Sequence, residues 1–407
     1  MKSPLDETVH VHFPDGFKRF GWCILLLRAL YGLRRSPLLW QKDLSTTLKA
    51  LGLTQGTEEP CVFYNSWLLV FFYVDDLVLA YRSEDEPRKQ DFQRQLFQKY
   101  EMHDLGDLKW FLGIRVLRDR SLRKIWLVQD SYIERIATTF HLTEPAGSKW
   151  PKTPLPAEPL VRFEGTASDA QKHLFQRKNG SIIYSAVITR PDISFAASKL
   201  AEFMSNPSPR HMEVIDQTIR YLYNTRYLAL EYDGTSNLEL FVAGDASYAD
   251  NADRKSTQGF IITLFGGPIA WKSGKQSIIT GSTTEAELVS LTNTTKESME
   301  LLRILRDLQL KLSEPLQVYC DNKQALRLVT SELQRIKTAM KHVDVPKLWL
   351  RQEYRRGTVK TVYIPTAQMP ADGFTKALTR QKQEEFVRQL GLTDVQSVIE
   401  AQEALED

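Results

Sequence analysis

Trp67-Leu68-Leu69-Val70-Phe71-Phe72-Tyr73-Val74-Asp75-Asp76-Leu77-Val78-Leu79-Ala80-Tyr81 is the stretch that decides how this chain is read. Trp67–Tyr73 and Leu77–Tyr81 are short runs of aromatic and branched side chains, the composition of strands. Two adjacent carboxylates separate them. An unpaired buried charge costs on the order of several kcal/mol, so Asp75 and Asp76 are expected at a turn, exposed or neutralised. A paired-carboxylate turn on a rigid hairpin suits a divalent cation. Asp is also common in ordinary turns, and the dipeptide alone leaves both readings open.

Upstream of the hairpin, Leu30-Tyr31-Gly32-Leu33 ends an apolar segment, and Trp40 to Leu51 is expected to be helical. Downstream, a charged helix is expected from Glu84 to Tyr100. A second hairpin begins at Trp110-Phe111-Leu112-Gly113-Ile114, turns near Asp119 to Arg123 and returns through Ile125-Trp126-Leu127-Val128. A short helix over 131–145 follows. Pro151, Pro154, Pro156 and Pro159 then fall within nine residues, which predicts a stiff extended linker and a domain boundary. Beyond it, Ile193, Ala196, Ala197, Leu200, Phe203 and Met204 share one helical face behind Pro191 and Asp192. That face is core packing and carries no assigned chemistry.

A different pattern starts near Asn237. Leu238 to Asp245 reads as a strand, and Gly259 to Lys272 as a hairpin around Gly266-Gly267. A long helix is expected from Thr283 to Leu310, then a strand over Leu316 to Cys320 and a short helix. Residues 337–356 read as helical with a break near Pro346. Val359 to Ile364 is another strand, and 371–390 another helix. This order predicts a mixed α/β domain of about 140 residues.

Acids stand at the ends of its elements. Asp245 follows the first strand, Glu287 lies one turn into the long helix, Asp321 follows a later strand and Asp372 opens the last helix. Four carboxylates converging on one point would repel one another unless cations bound. Two divalent ions about 4 Å apart would suit phosphodiester hydrolysis. Each acid also has a local role open to it: Asp245 in a turn, Asp321-Asn322 at a strand end or helix N-cap, Asp372 at a helix N-terminus. Ser282-x-x-Glu285 is a capping box, so Glu285 is expected to serve the helix start.

The composition admits this reading without demanding it. The 407 residues are 42% hydrophobic and 25% charged, enough for two or three cored domains. The net charge of +3 neither requires nor excludes nucleic acid. Basic clusters occur at Arg34-Arg35, at Arg118, Arg120, Arg123 and Lys124, and at Arg351, Arg355, Arg356 and Lys360; such clusters are also ordinary solvated faces. The three cysteines, Cys23, Cys61 and Cys320, form no zinc or disulfide pattern, which points to a reducing compartment. The N-terminus is polar and acidic rather than a signal peptide, and Arg28 and Asp75-Asp76 interrupt the apolar runs too early for a bilayer span. The expected location is intracellular, in cytoplasm or nucleus, with no membrane partner. Gly391 to Asp407 has five acids and no Lys or Arg, and is expected to be a surface helix or loose tail.

These motifs together resemble the reverse transcriptase and ribonuclease H part of the Pol polyprotein of copia-type LTR retrotransposons. The resemblance covers nearly all of the chain. Ala29-Leu30-Tyr31-Gly32-Leu33 with Pro37 and Trp40 is similar to the family segment ahead of the catalytic hairpin, and Tyr73-Val74-Asp75-Asp76 to the polymerase motif. Gly106-Asp107-Leu108 with Phe111-Leu112-Gly113-Ile114 resembles the next palm segment. Thr189-Arg190-Pro191-Asp192-Ile193 and Phe203-Met204-Ser205-Asn206-Pro207 resemble the connecting region. Asp245 with Ser256-Thr257-x-Gly259-Phe260, Ser282-Thr283-Thr284-Glu285-Ala286-Glu287, Asp321-Asn322, Lys341-His342-Val343-Asp344 and Ala371-Asp372-Gly373-Phe374-Thr375-Lys376 resemble the ribonuclease H domain in order.

The resemblance implies an α+β, mixed α/β fold: a partial reverse-transcriptase palm and thumb without fingers over 1–150, a linker and connection over 151–235, a ribonuclease H-like α/β domain over 236–380, and a C-terminal helix or acidic tail over 381–407. It implies that Asp75 and Asp76 hold polymerase metals. It implies that Asp245, Glu287, Asp321 and Asp372 hold Mg²⁺ or Mn²⁺ for cutting RNA in an RNA–DNA hybrid, with Glu287 preferred to Glu285. His342 and Asp344 are expected to order the fold, near a helix bent at Pro346. A primer–template or hybrid is the implied partner. The family's polymerase needs a third carboxylate upstream of Ser3–Val9. Asp6 does not match it, so polymerase action by this chain is expected to be lacking, and the first 20 residues are expected to be frayed for want of strand partners. A catalytically dead remnant that at most binds nucleic acid is the alternative.

Overall fold

The computed structural model describes residues 3–147, 149–310, 312, 315–331 and 344–406. Lys341, His342 and Val343 lie outside them. Contacts divide the chain into two compact units, Met1–Leu108 with Glu300–Leu310, and Lys109–Met299 with Lys311–Asp407.

In the first unit, β1 (Pro4–Val11) pairs antiparallel with β2 (Ile24–Arg28), Val9 opposite Leu26. For Pro4–Val11 this corrects the expectation that the first 20 residues are frayed: the strand finds its partner within the chain, and Arg35 ties down its acids, at 2.6 Å from Asp6 and 3.3 Å from Glu7. Helix α1 (Ser36–Ala50) opens with Pro37, where a missing amide hydrogen costs nothing. A four-stranded antiparallel sheet follows: β3 (Thr54–Gln55), β4 (Val62–Tyr64), β5 (Leu68–Tyr73) and β6 (Asp76–Tyr81). Alternate residues Leu68, Val70 and Phe72 point inward, as a half-buried strand requires. They meet Trp40, Leu44 and Leu48 of α1, and Phe92 and Leu96 of α2 (Glu86–Lys99), in one core.

The second unit holds two sheets and a helical cluster. β7 (Trp110–Phe111), β8 (Ile114–Asp119) and β9 (Lys124–Val128) join β10 (Leu228–Asp233) and the C-terminal β16 (Leu392–Asp394), in the order β16-β10-β9-β8-β7. Helices α3 (Asp130–Thr139), α4 (Asp169–Ile188), α5 (Ser194–Ala201) and α6 (Pro209–Asn224) pack around Phe175, Ile182, Ile193, Leu200 and Ile219. Capping boxes start α4 (Ser168 with Gln171) and α6 (Ser208 with His211).

One ion pair lies wholly inside this unit. Arg190 is 0% and Asp192 3% exposed. The guanidinium donates to both carboxylate oxygens, at 2.8 and 2.7 Å, and to the carbonyl and hydroxyl of Thr225 at 3.0 and 2.7 Å. Tyr221 donates its hydroxyl to Asp192 at 2.9 Å, and Gln383 of α10 (Arg380–Gln389) donates to the Asp192 carbonyl at 3.2 Å. The Arg190-Pro191-Asp192 motif is thus a structural lock between three elements.

The other sheet has the order β13-β12-β11-β14-β15. β11 (Phe241–Ser247), β12 (Thr257–Leu264) and β13 (Gly267–Lys275) form an antiparallel meander; β14 (Leu316–Cys320) runs parallel to β11, and β15 (Val359–Tyr363) parallel to β14. Between β13 and β15 lie α7 (Thr283–Asp307), α8 (Lys323–Thr330) and α9 (Asp344–Arg356). The expected helix over 371–390 is instead a 3₁₀ turn, Pro370–Phe374, followed by α10. Of the two forms expected for 391–407, a surface helix or a loose tail, the helix is present: β16 pairs with β10, and Val395 and Ile399 anchor α11 (Gln396–Glu406) in the core. The α+β architecture is the one expected.

Candidate metal centre

Asp75 and Asp76 sit where the hairpin turns. Tyr73 pairs with Asp76, leaving Val74 and Asp75 as a two-residue loop, and both aspartates are exposed. Such loops need positive φ, usually supplied by Gly or Asn. Here Val74 takes φ +55°, a strained conformation for a β-branched residue. The indole Nε1 of Trp40 donates to the Val74 carbonyl, and the Tyr31 hydroxyl donates to Asp75 at 3.0 Å, which pushes the phenol pKa up. Val74→Gly is therefore expected to raise resistance to urea by about 1 kcal/mol, whereas Val74→Ile leaves the strain in place. Among the described residues, no group of three ligating side chains forms around this pair.

The second constellation is built differently. Asp245 lies inside β11, opposite Gly259, rather than past the strand's end. Ser290 of α7 donates to the Asp245 carbonyl at 2.8 Å, keying the helix to the strand. One helical turn start away, Glu285 accepts the Gly281 amide at 2.7 Å and Ser282 accepts the Glu285 amide at 3.2 Å, so Glu285 serves the helix start. Glu287 then projects inward and is 5% exposed. Asp321 follows β14, and the cap of α8 is its neighbour: the Asn322 side chain accepts the amides of Gln324 and Ala325, each at 3.0 Å. Asp372 rides the 3₁₀ turn. That turn reaches the sheet because Gly259 has no side chain; a Cβ there would strike Phe374.

Glu287, Cys320 and Asp321 place one ligand atom each within 4.8 Å of one another. Asp245 and Asp372 fall outside that trio, and only their charges act on it. Burial first, then the charges of Asp245 and Asp321, push Glu287 up to about 9. Burial first, then Asp321 and Asp372, push Asp245 up to about 6, against the opposing hydrogen bond from Thr375. Hydroxyls orient the set: Thr375 donates to Asp245 at 2.6 Å, and Thr366 to Asp321 at 2.7 Å. Lys376 is ion-paired with Asp372. The residues that sequence reading left out of this group are Cys320, Thr366, Thr375 and Lys376. Cys320 precedes Asp321 directly, and strand alternation puts such neighbours on opposite faces; β14 ends at Cys320, so the alternation stops there.

The donor set fits a divalent cation. Among the described residues, Glu287 Oε2 is buried and has no hydrogen-bond partner, a cost that a bound cation removes. Unfolded carboxylates titrate near pH 4, so over roughly pH 4.3 to 9 the folded chain holds a proton on Glu287 that the unfolded chain has lost. Without metal, stability is therefore expected to fall as pH rises through that window, by up to about 1.4 kcal/mol per pH unit from this group. Asp245 adds to the slope below about pH 6. Thermal melts across the window should show the decline, Glu287→Gln should flatten it, and Mg²⁺ should reverse it with proton release.

Residues 1–154 match the profile of a family described as reverse transcriptase (RNA-dependent DNA polymerase). The chain is 31% identical over 397 residues to the Pol polyprotein of transposon TNT 1-94 from Nicotiana tabacum, covering 94% of this chain and 29% of that protein. It is 29% identical to the RE1 Pol polyprotein of Arabidopsis thaliana, covering 97% of this chain and 27% of that one. It thus spans under a third of these plant relatives. A transposon Ty5-1 protein of Saccharomyces cerevisiae is 33% identical over 314 residues, which are 73% of this chain and 97% of the yeast protein. A foamy viral protease–reverse transcriptase solved with an RNA/DNA hybrid aligns at a TM-score of 0.47 and 15% identity, over 84% of this chain and 39% of that one. The chain belongs to the copia-type LTR retrotransposon Pol family.

Proposed function

We propose that the chain is a reverse transcriptase–ribonuclease H fragment whose retained activity is divalent-metal-dependent cleavage of RNA in RNA–DNA hybrids. The observation that carries this reading is Glu287, a buried acid with one unpartnered oxygen in the field of three other carboxylates. Asp245, Glu287, Asp321 and Asp372 would hold Mg²⁺ or Mn²⁺. Cations there would supply water activation and charge stabilisation at the leaving oxygen of a phosphodiester. The chain's own contribution is orientation: Thr375 and Thr366 fix the carboxylates of Asp245 and Asp321, and Lys376 offsets part of the repulsion at Asp372. The division into a polymerase-derived part over 1–150, a connection over 151–235 and a nuclease part over 236–380 belongs to the same proposal. It follows lineage, while the compact units divide at Leu108.

Asp75 and Asp76 would be polymerase metal ligands, but the pair has no third ligating neighbour among the described residues, so primer extension by the chain alone is not part of the proposal. The test is a labelled RNA annealed to DNA and incubated with the purified chain. Cleavage should appear with Mg²⁺ or Mn²⁺ and stop on chelation. Folded protein that binds the hybrid and leaves the RNA intact would instead support a passive nucleic-acid-binding remnant.

A further inference from the structure

Cys320 changes what the cluster can bind. Its sulfur is buried, and its Sγ lies within 4.8 Å of ligand oxygens of both Glu287 and Asp321. Among the described residues the polar contacts of the trio are few. The Asn322 amide donates to Cys320 Sγ at 3.4 Å, Thr366 donates to Asp321, and the Ala246 amide donates to Glu287. Glu287 is 5% exposed, and its Oε2 has no partner among the described residues. A hard cation such as Mg²⁺ uses oxygen donors and ignores sulfur, whereas thiophilic cations gain most from a thiolate. Zinc bonds to sulfur lie near about 2.3 Å and to carboxylate oxygen near about 2.0–2.2 Å. Shifts of about 1 Å by side chains would therefore bring the three donors around one ion.

We propose that Glu287, Cys320 and Asp321 form a thiophilic divalent-cation site, for ions of the zinc and cadmium class, which takes two oxygen ligands away from Mg²⁺. The site acts as an inhibitory switch on hybrid cleavage: the Cys320 thiol and Glu287 release their protons to solvent as a thiophilic ion closes on sulfur and two carboxylates, and the oxygens needed for the hard cation are no longer available. The switching role rests on the nuclease reading above; the cation site itself does not.

The test uses the full chain with Cys23→Ser and Cys61→Ser, so that Cys320 is the remaining thiol. Cadmium is titrated in, and the ultraviolet charge-transfer band of a cadmium–thiolate bond is followed. The expected result is a saturable band equivalent to one cation per chain. Excess Mg²⁺ and Asp321→Asn should each raise the cadmium midpoint at least about tenfold, and Cys320→Ser should remove the band. Should Cys320→Ser not fold, the Mg²⁺ competition and Asp321→Asn decide the matter, since Asp321 is partly exposed and its replacement is isosteric. Absence of a saturable band in the folded protein overturns the site, and so does a band indifferent to both Mg²⁺ and Asp321→Asn. A protein that shows the band but never cleaves hybrid keeps the site and rejects the nuclease. One that cleaves with Mg²⁺ and lacks the band rejects this site alone.

Discussion

Asp321→Asn is expected to lower Mg²⁺-dependent cleavage of an RNA–DNA hybrid by at least about 100-fold while the protein stays folded. The size follows from the role: removing one charged group aimed at a site of developing charge typically costs about 10²–10³ in rate. The folding half follows from local structure. Asp321 is partly exposed, and its hydrogen bond from Thr366, at 2.7 Å, also suits an amide oxygen. The helix cap that Asp321 was a candidate for belongs to Asn322, so α8 keeps its start in the variant. Glu285→Gln is the matching control. Glu285 accepts the Gly281 amide at the beginning of α7, and its replacement should cost about 1 kcal/mol of stability or less, with cleavage retained. A steady-state rate on one labelled hybrid, with circular dichroism on each variant, checks both. Equal loss in the two variants would mean that the helix start, not the cluster, governs activity.

Arg190→Ala is expected to destabilise the second unit by about 3–5 kcal/mol, the usual cost of stripping one partner from a buried ion pair. The guanidinium makes two bonds to Asp192 and two to Thr225, and its loss leaves the buried carboxylate, among the described residues, with the Tyr221 hydroxyl as its side-chain donor. A deficit of that size is a large share of a domain's total stability, of order 5–15 kcal/mol, so the variant should melt far lower or accumulate as insoluble protein. Arg190→Met combined with Asp192→Leu removes both charges and should recover part of the loss. Urea midpoints for the single and double variants give the answer. A single variant within about 1 kcal/mol of the parent would show that the pair contributes little.

Much of this fold was legible from sequence because the signals were local. The hairpin around Asp75-Asp76 was readable from two strand-like runs around an acidic pair, and the start of α7 from Ser282 and Glu285. What escaped the sequence was mostly long-range pairing. The first strand has its partner in β2, a segment read only as apolar, and β16 closes onto β10 across more than a hundred residues. Neither leaves a periodic trace. The 3₁₀ turn carrying Asp372 is set by tertiary contact: Gly259 opens a gap that Phe374 fills, and Gly373 lies against the Phe386 ring, so a side chain there would collide. The four acids were readable as candidates from their expected places at or near element ends, although Asp245 lies inside β11. Their neighbours Thr366, Thr375 and Cys320 were not, because a hydroxyl or a thiol beside an acid in space carries no pattern along the chain.

The chemistry of the second unit turns on the cluster being a cation site. Anomalous X-ray scattering from crystals of the full chain equilibrated with Mn²⁺ tests it most directly. The expected result is a manganese peak ligated by Glu287 and Asp321, with Asp245 and Asp372 around it. Manganese peaks confined to other parts of the molecule, with these four carboxylates left without a cation, would contradict it.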